Sequence, residues 1–185
     1  MGFEPTPIAG LFIYTPKVFQ DERGYFFESY NARVFAEYGI QTSFVQDNQS
    51  FSKRGVVRGL HFQRPPYTQA KLVRVIHGVI WDVAVDLRSS SPTYKQWFGL
   101  ELSDTNFRQL YIPAGFAHGF VVLSEEAIVA YKTDNFYHPA SDGGIRYNDP
   151  EINIAWPCPI DESLLSQKDK NLPFLKDIGD VFGDR

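Results

Sequence analysis

The sequence has few of the residues and segments that define several protein classes. Only one of its 185 residues is cysteine, Cys158, which excludes an internal disulfide and a metal site built from several thiolates. No apolar run approaches the length that crosses a membrane, and residues 1–10 contain neither the basic nor the apolar part of a secretory signal. We therefore expect a cytoplasmic protein without a membrane partner.

An excess of positive charge is also missing. The chain has 18 Lys and Arg residues against 22 Asp and Glu residues, a formal net charge of −4. This balance argues against a general affinity for nucleic acid or an anionic membrane, so an anion must be bound by a local cluster of cations. The length favours one domain over residues 1–185, with a core at about 8–170 and a weakly ordered tail at about 171–185.

Aromatic residues, in contrast, are abundant, with 16 Phe and 10 Tyr, and glycine and proline divide the chain into short apolar segments. This pattern favours strands over helices, and it predicts an all-β sandwich or barrel-like jelly roll with one or two short helices. Asn31 to Tyr38 is predicted as a short helix that begins at a capping asparagine. Apolar residues alternate from Val73 to Leu87, with His77-Gly78 predicted as a hairpin turn.

The most polar stretch of the chain runs from Gln46 to Lys71. Its charged groups cannot be buried cheaply without partners, so we expect it to face a ligand, water or another subunit. No metal site is predicted, because the four histidines lack a His-x-His pair with a nearby carboxylate. Cys158 lies between two prolines without a neighbouring base, and no Gly-x-Ser-x-Gly motif is present, so nucleophilic catalysis is not indicated.

Acid–base chemistry is the interpretation that remains. A proton beside a carbonyl group is removed slowly unless a base faces it and a donor meets the developing enolate oxygen. His61 has the chemistry of such a base, Lys71 that of the donor, and Tyr131 that of an acid that returns the proton. A lone histidine in an apolar strand is more often a packed, hydrogen-bonded residue, so spacing alone leaves both interpretations open.

Several blocks of the sequence resemble one known family. They are DERGYFFE, FVQDNQS, RGVVRGLHFQ, KLVR, VAVDLR, IPAGFAHGF, YKTDNFYHP and LSQKD, in family order over about residues 20–170. In these blocks the chain resembles the dTDP-4-dehydrorhamnose 3,5-epimerase family. The resemblance implies a cupin-type jelly roll that works without a metal or other cofactor, as a homodimer that exchanges strands. It implies epimerisation of dTDP-4-dehydro-6-deoxy-D-glucose at C3 and C5, on the way to dTDP-L-rhamnose.

The resemblance also implies roles for individual residues. His61 corresponds to the proton acceptor, Tyr131 to the proton donor and Asp169 to the carboxylate paired with the histidine. Lys71 corresponds to the residue beside the C4 oxygen. The nucleotide sugar is expected to contact Arg23, Glu28, Gln46, Asn48, Arg58, His118, Asp142 and Lys168, with Tyr137 stacked on the thymine. Without the family resemblance, Arg23 is interpreted as a solvated turn residue and Glu28 as the end of a strand.

Two positions depart from the family pattern, and three other functions stay open. Asp142 stands where the family more often has Glu, which shortens one ligand contact, and Tyr147 stands where Trp is common, which we interpret as packing. A single-position epimerase of the same fold would lose or misplace Tyr131, and the RGLHFQ and LSQKD blocks argue against a 3,4-ketoisomerase. A non-catalytic sugar-nucleotide binder would have no reason to combine His61, Lys71, Tyr131 and Asp169.

Overall fold

The computed structural model describes residues 2–183, which form two β-sheets with few helical residues. In chain order the strands are β1 (Gly2–Pro5), β2 (Phe12–Thr15), β3 (Phe19–Asp21), β4 (Gly24–Phe26), β5 (Gln46–Lys53), β6 (Val57–Gln63), β7 (Lys71–His77), β8 (Val79–Asp86), β9 (Trp97–Ser103), β10 (Gln109–Ile112), β11 (Phe116–Val122), β12 (Glu126–Thr133) and β13 (Asp142–Gly144). The helices are α1 (Ala32–Glu37) and α2 (Gln167–Lys170), with short 3-10 turns at Pro139–Ser141, Glu162–Leu164 and Leu175–Asp177. The predicted all-β sandwich with one or two short helices is confirmed.

The two sheets face each other across one apolar core. The larger sheet has the order β1-β2-β10-β7-β12-β5 and the smaller has the order β13-β6-β11-β8-β9, while β3 and β4 form a separate hairpin. Alternate residues of each strand point inward, so that Val73 and Val129 of the larger sheet meet Ile80 and Phe120 of the smaller one. Among the described residues no helix is long and apolar enough to span a lipid bilayer.

The apolar alternation of residues 73–87 passes from one sheet to the other at Gly78. Strands β7 and β8 belong to different sheets, so the predicted hairpin at His77-Gly78 is wrong. Val73 packs between the sheets, whereas Val83 packs in a second apolar cluster on the outer face of the smaller sheet. Period-two alternation reports that a side chain is buried, but it does not report which of two cores buries it.

That second cluster is covered by the C-terminal part of the chain. Leu172 and Leu175 are 9% and 5% exposed, and Leu175 packs with Phe62 of β6. The predicted weakly ordered tail is therefore wrong for residues 171–183, and residues 184–185 lie outside the described part of the chain. Helix α2 was not predicted, because it spans only four residues and offers no periodic pattern.

Helix α1 forms as the sequence predicts. Its cap, Asn31, accepts a hydrogen bond from the backbone N–H of Arg33, and the chain leaves the helix at Gly39 with a φ of 79°. Phe35 is its buried residue and packs against Phe3 of β1, which docks this short helix on the larger sheet.

One close contact between two backbones fixes the position of β6 against β11. A Cβ atom on Gly59 would come within 2.6 Å of the Gly119 Cα atom and 2.8 Å of the His118 carbonyl oxygen. Gly59 also has a φ of 127°, a conformation that L side chains rarely adopt. Glycine at this position lets β6 lie directly against β11, which places His61 opposite His118 in the strand pairing.

We expect Gly59→Ala to lower the free energy of unfolding by about 3–5 kcal/mol, because strain in φ and a clash with backbone atoms add together. Gly39→Ala is the matched control, since Gly39 also has a positive φ but an added Cβ would meet no atom within 4 Å. The control should lose only about 1 kcal/mol. Denaturant unfolding measures both values, and equal losses in the two variants would contradict the clash.

Candidate active site

A polar cavity of about 360 Å³ opens between the two sheets. This volume falls in the range of small-molecule binding sites. Most of the predicted site residues line it, namely Gln46, Asn48, Arg58, His61, Lys71, His118, Tyr131, Tyr137, Asp142 and Lys168. The cavity therefore collects residues that lie far apart in the chain.

The cavity continues the apolar core along the same strand faces. On β12 the inward residues change from Val129 to Tyr131, and on β7 they change from Val73 to Lys71. Because side chains alternate along a strand, these polar residues point into the same gap as the core residues before them. His61 lies on the smaller sheet and therefore faces Tyr131 from the other side of the cavity.

His61 forms a short hydrogen bond with a buried carboxylate. Its Nε2 atom lies 2.5 Å from Oδ1 of Asp169, whose side chain is 5% exposed. Burial raises the pKa of Asp169, but the hydrogen bond and charge of His61, with Ser166 and Lys168, bring that pKa below its ordinary value. An ionised carboxylate only accepts hydrogen bonds, so Nε2–H of His61 donates to it and Nδ1 is the ring nitrogen that Asp169 does not engage.

Lys71 lies beside this histidine and is buried. Its Nζ donates to the carbonyl oxygen of His61 over 3.4 Å. Burial lowers the pKa of Lys71 to about 8, although the charges of Asp82 and Asp142 act in the opposite direction. The ammonium group is thus mostly protonated at neutral pH, and it is a desolvated donor for an oxygen that gains negative charge.

A second histidine–carboxylate pair lies next to the first. Nε2 of His118 is 2.8 Å from Oδ1 of Asp82, and the two residues are 6% and 0% exposed. Burial lowers the pKa of His118, which opposes its protonation. Asp82 is not among the predicted site residues, although an aspartate inside the apolar strand VIWDVAVD is a signal for one, because a buried carboxylate requires a partner.

Tyr131 is the acidic group on the opposite wall. It packs against the core and faces the cavity from β12. Burial raises the pKa of Tyr131, and the nearby charges of Arg58 and Lys168 only partly offset this effect. The hydroxyl group therefore keeps its proton at neutral pH and is able to donate it.

The mouth of the cavity is rimmed by charged and aromatic groups. Lys168 Nζ lies 2.5 Å from Oδ2 of Asp142, and the hydroxyl of Tyr137 donates to the same oxygen over 3.2 Å. Arg58 donates to Ser52 on β5, which orients its guanidinium group along the cavity wall. Tyr147 lies away from the mouth in an apolar cluster, as the packing interpretation predicted.

Arg23 and Glu28 are the two predicted site residues that the subunit does not bring to the cavity. Arg23 lies in the β3–β4 hairpin, pairs with Asp21 and has a side chain that is 84% exposed. Glu28 accepts a hydrogen bond from Asn31 at the start of α1. In the described residues no group of three or more His, Cys, Asp or Glu residues is arranged to hold a metal ion.

Fold and cavity together define a cupin-type acid–base enzyme, and comparison with known proteins gives the family. The family model described as dTDP-4-dehydrorhamnose 3,5-epimerase matches residues 5–177. The curated enzyme of that name from Methanothermobacter thermautotrophicus is 53% identical over 176 residues, which cover 95% of each chain. The one from Shigella flexneri is 55% identical over 172 residues, 92% of this chain and 94% of the relative.

Solved structures agree with the sequence comparisons. An epimerase of the same name from Elizabethkingia anophelis superposes with a TM-score of 0.90 at 50% identity, covering 96% of this chain and 98% of its own. A 3,5-epimerase from Legionella pneumophila in complex with dTDP-4-keto-L-rhamnose superposes with a TM-score of 0.91 at 48% identity, covering 96% and 94%. The chain belongs to the dTDP-4-dehydrorhamnose 3,5-epimerase family, and both the predicted resemblance and the cupin-type fold are confirmed.

The lowered pKa of Lys71 predicts how stability depends on pH. The unfolded chain binds a proton at this residue up to its ordinary pKa of 10.5, whereas the folded protein releases it near 8. The unfolded state thus binds more protons between these values, so the free energy of unfolding rises with pH across this window. Between pH 8 and pH 10.5 the free energy of unfolding of the wild-type protein should rise by about 3 kcal/mol more than that of Lys71→Met.

Denaturant unfolding at a series of pH values measures this difference. Lys95→Met is the control, since Lys95 is paired with Glu151 on the surface and its pKa is raised by that hydrogen bond. Wild-type and Lys71→Met curves that stay parallel across the window would contradict the desolvation of Lys71.

Proposed function

We propose that this protein epimerises dTDP-4-dehydro-6-deoxy-D-glucose at C3 and C5 to give dTDP-4-dehydro-L-rhamnose, in the synthesis of dTDP-L-rhamnose. The observation that carries the proposal is the His61–Asp169 pair on one wall of the cavity, with Tyr131 on the opposite wall and Lys71 beside the histidine. The family membership and the names of the relatives support the same reaction.

The opposed walls suit a reaction that inverts a carbon centre. The C4 ketone acidifies the protons on C3 and C5, and Nδ1 of His61 removes one of them from one face of the sugar. Lys71 stabilises the enolate oxygen, and Tyr131 returns a proton from the other face. A positioned acid or base contributes roughly 10²–10⁴-fold to the rate, and an oxyanion donor contributes about 10²–10³-fold. Nothing is oxidised overall, so the scheme requires no redox cofactor.

The rest of the cavity suits the nucleotide. Arg58 and Lys168 place positive charge near the mouth, where a diphosphate would be neutralised, and the forked guanidinium of Arg58 matches its oxygens. Tyr137 is 54% exposed at the same mouth, and its aromatic ring offers a surface for stacking by the thymine base. Gln46, Asn48, His118 and Asp142 supply further polar contacts.

Incubation with dTDP-4-dehydro-6-deoxy-D-glucose in D₂O, followed by NMR of the sugar, tests the reaction. We expect deuterium at both C3 and C5, because each proton is removed and replaced from solvent. Deuterium at one carbon would identify a single-position epimerase instead. Deuterium at neither carbon would overturn the proposal in favour of a binding protein or a ketoisomerase.

His61→Asn is the matched variant for the proposed base. We expect its incorporation of deuterium to fall by at least about 10²-fold at both carbons, because the base is lost. Its dissociation constant for dTDP should stay within about twofold of wild type, since Arg58 and Tyr137 are intact. Full deuterium exchange in this variant would remove His61 from the mechanism.

We further propose that the enzyme is a homodimer in which the β3–β4 hairpin of one subunit completes the cavity of the other. The hairpin exposes large apolar side chains, with Phe19 at 53% and Phe26 at 67% exposure. Arg23 on the same hairpin is far more exposed than a binding residue would be within its own subunit. A cytoplasmic location, expected from the sequence, stays a prediction.

Hybrid dimers test this arrangement. Arg23→Ala and His61→Asn subunits, each weakly active alone, are co-expressed with different tags so that mixed dimers form. If Arg23 acts across the interface, each mixed dimer contains one intact cavity, and an equal mixture recovers about a quarter of wild-type activity. If Arg23 acts within its own subunit, mixed dimers contain no intact cavity, and the absence of recovery would contradict the exchange.

A further inference from the structure

We propose that Gln63 is a positioning residue for the nucleotide end of the cavity: its side-chain amide fixes the loop that carries Tyr137 and thereby sets the affinity for dTDP. The inference rests on the proposed function, since it takes Tyr137 as the ring that stacks on the nucleobase. Gln63 itself was not among the residues that the sequence assigned to the site.

Gln63 lies two residues after His61 on β6 and faces the same cavity. It is 4% exposed, and its amide makes three hydrogen bonds to backbone groups. The Nε2 atom donates to the carbonyl oxygen of Tyr67 over 2.7 Å and to that of Phe136 over 3.1 Å. The Oε1 atom accepts from the backbone N–H of His138 over 2.6 Å. The two amide N–H donors and the amide oxygen of Gln63 therefore all bind the two loops beside the cavity.

Two of these bonds hold the residues on either side of Tyr137. Gln63 binds the carbonyl of Phe136 and the N–H of His138, while Gln46 Oε1 accepts from the N–H of Tyr137 itself over 3.0 Å. Residues Phe136 and Tyr137 are 65% and 54% exposed, so apolar burial contributes little to holding this segment. The two glutamine side chains hold the backbone on both sides of Tyr137, and Asp142 accepts a hydrogen bond from its hydroxyl group, so the ring lies at the mouth before a ligand arrives.

The third bond joins a second loop to the first. Tyr67 follows the Pro65-Pro66 pair, and its ring stacks on His138 with centroids 3.8 Å apart and planes 4° from parallel. The single amide of Gln63 thus binds the backbone at both partners of this stack. Gln63 therefore ties residues 64–70 to residues 134–138.

This arrangement separates binding from chemistry. Replacing the amide with an apolar side chain of similar shape would keep the packing but leave three backbone groups without their partner. The loop would then sample other positions, and part of the binding energy would be used to order it. His61, Asp169 and Tyr131 are not bonded to Gln63, so the proton transfer steps should keep their rates.

Gln63→Met tests the proposal because methionine is close in shape and cannot form these hydrogen bonds. We expect its dissociation constant for dTDP, measured calorimetrically, and its KM to rise about tenfold, with kcat within about twofold of wild type. A tenfold change corresponds to about 1.4 kcal/mol. Asn106→Leu is the matched control, because Asn106 uses its amide in the same way on the β9–β10 turn, where it lies outside the cavity.

The control should keep wild-type affinity even if its melting temperature falls as much as that of Gln63→Met. An equal loss of affinity in Asn106→Leu would overturn the proposal, since the loss would then follow general destabilisation. An unchanged dissociation constant in Gln63→Met, or a fall in kcat with an unchanged KM, would overturn it as well. If wild-type protein binds dTDP without turning over the sugar, the proposed reaction fails while the affinity comparison still decides the role of Gln63.

Gln63→Glu keeps the proposal testable if the methionine variant does not fold. An ionised glutamate accepts from His138 but cannot donate to the carbonyl groups of Tyr67 and Phe136. Protonation restores one donor, so its dTDP affinity relative to wild type should recover as the pH falls from about 8 to about 5. A ratio that does not change with pH would contradict the role of the two donated hydrogen bonds.

Discussion

Burying ionisable groups between two sheets is costly unless each charge meets a partner, and this constraint governs the cavity end of the sandwich. The carboxylate of Asp169 is stabilised by His61, and Lys71 lies within the field of Asp82 and Asp142. These partners come from different strands and from α2, so the polar end links the two sheets and the C-terminal helix. The same desolvation strengthens their electrostatics, because a buried ammonium group or phenol interacts more strongly with a nearby charge than a hydrated one does.

The architecture explains why the reactive groups face each other. A sandwich has two inner faces, and a residue on one sheet points at residues of the other. His61 on β6 and Tyr131 on β12 therefore face the cavity from opposite sides. The close approach of Gly59 to Gly119 sets the position of β6 within its sheet, so backbone packing determines where the histidine lies.

The sequence was informative where local pattern and chemistry coincide. Strand periodicity and turn residues gave the sandwich, and family resemblance gave the residues that line the cavity. It was uninformative where long-range geometry decides, as at Gly78, where the chain changes sheets while the apolar alternation continues. Asp82 was missed because its partner lies 36 residues away, to which no spacing rule points. Gln63 belongs to the predicted polar stretch but received no role of its own, because the loop residue His138 that it binds lies 75 residues away.

The separation of His61 and Asp169 along the chain has a consequence for biosynthesis. The two residues are 108 positions apart, and Asp169 lies in the short α2 helix that follows all thirteen described strands. A nascent chain can therefore pair its strands and enclose the core before the carboxylate that orients the histidine has been made. The order of synthesis therefore makes the His61–Asp169 pair one of the last contacts that the chain is able to form, after every described strand of both sheets is available.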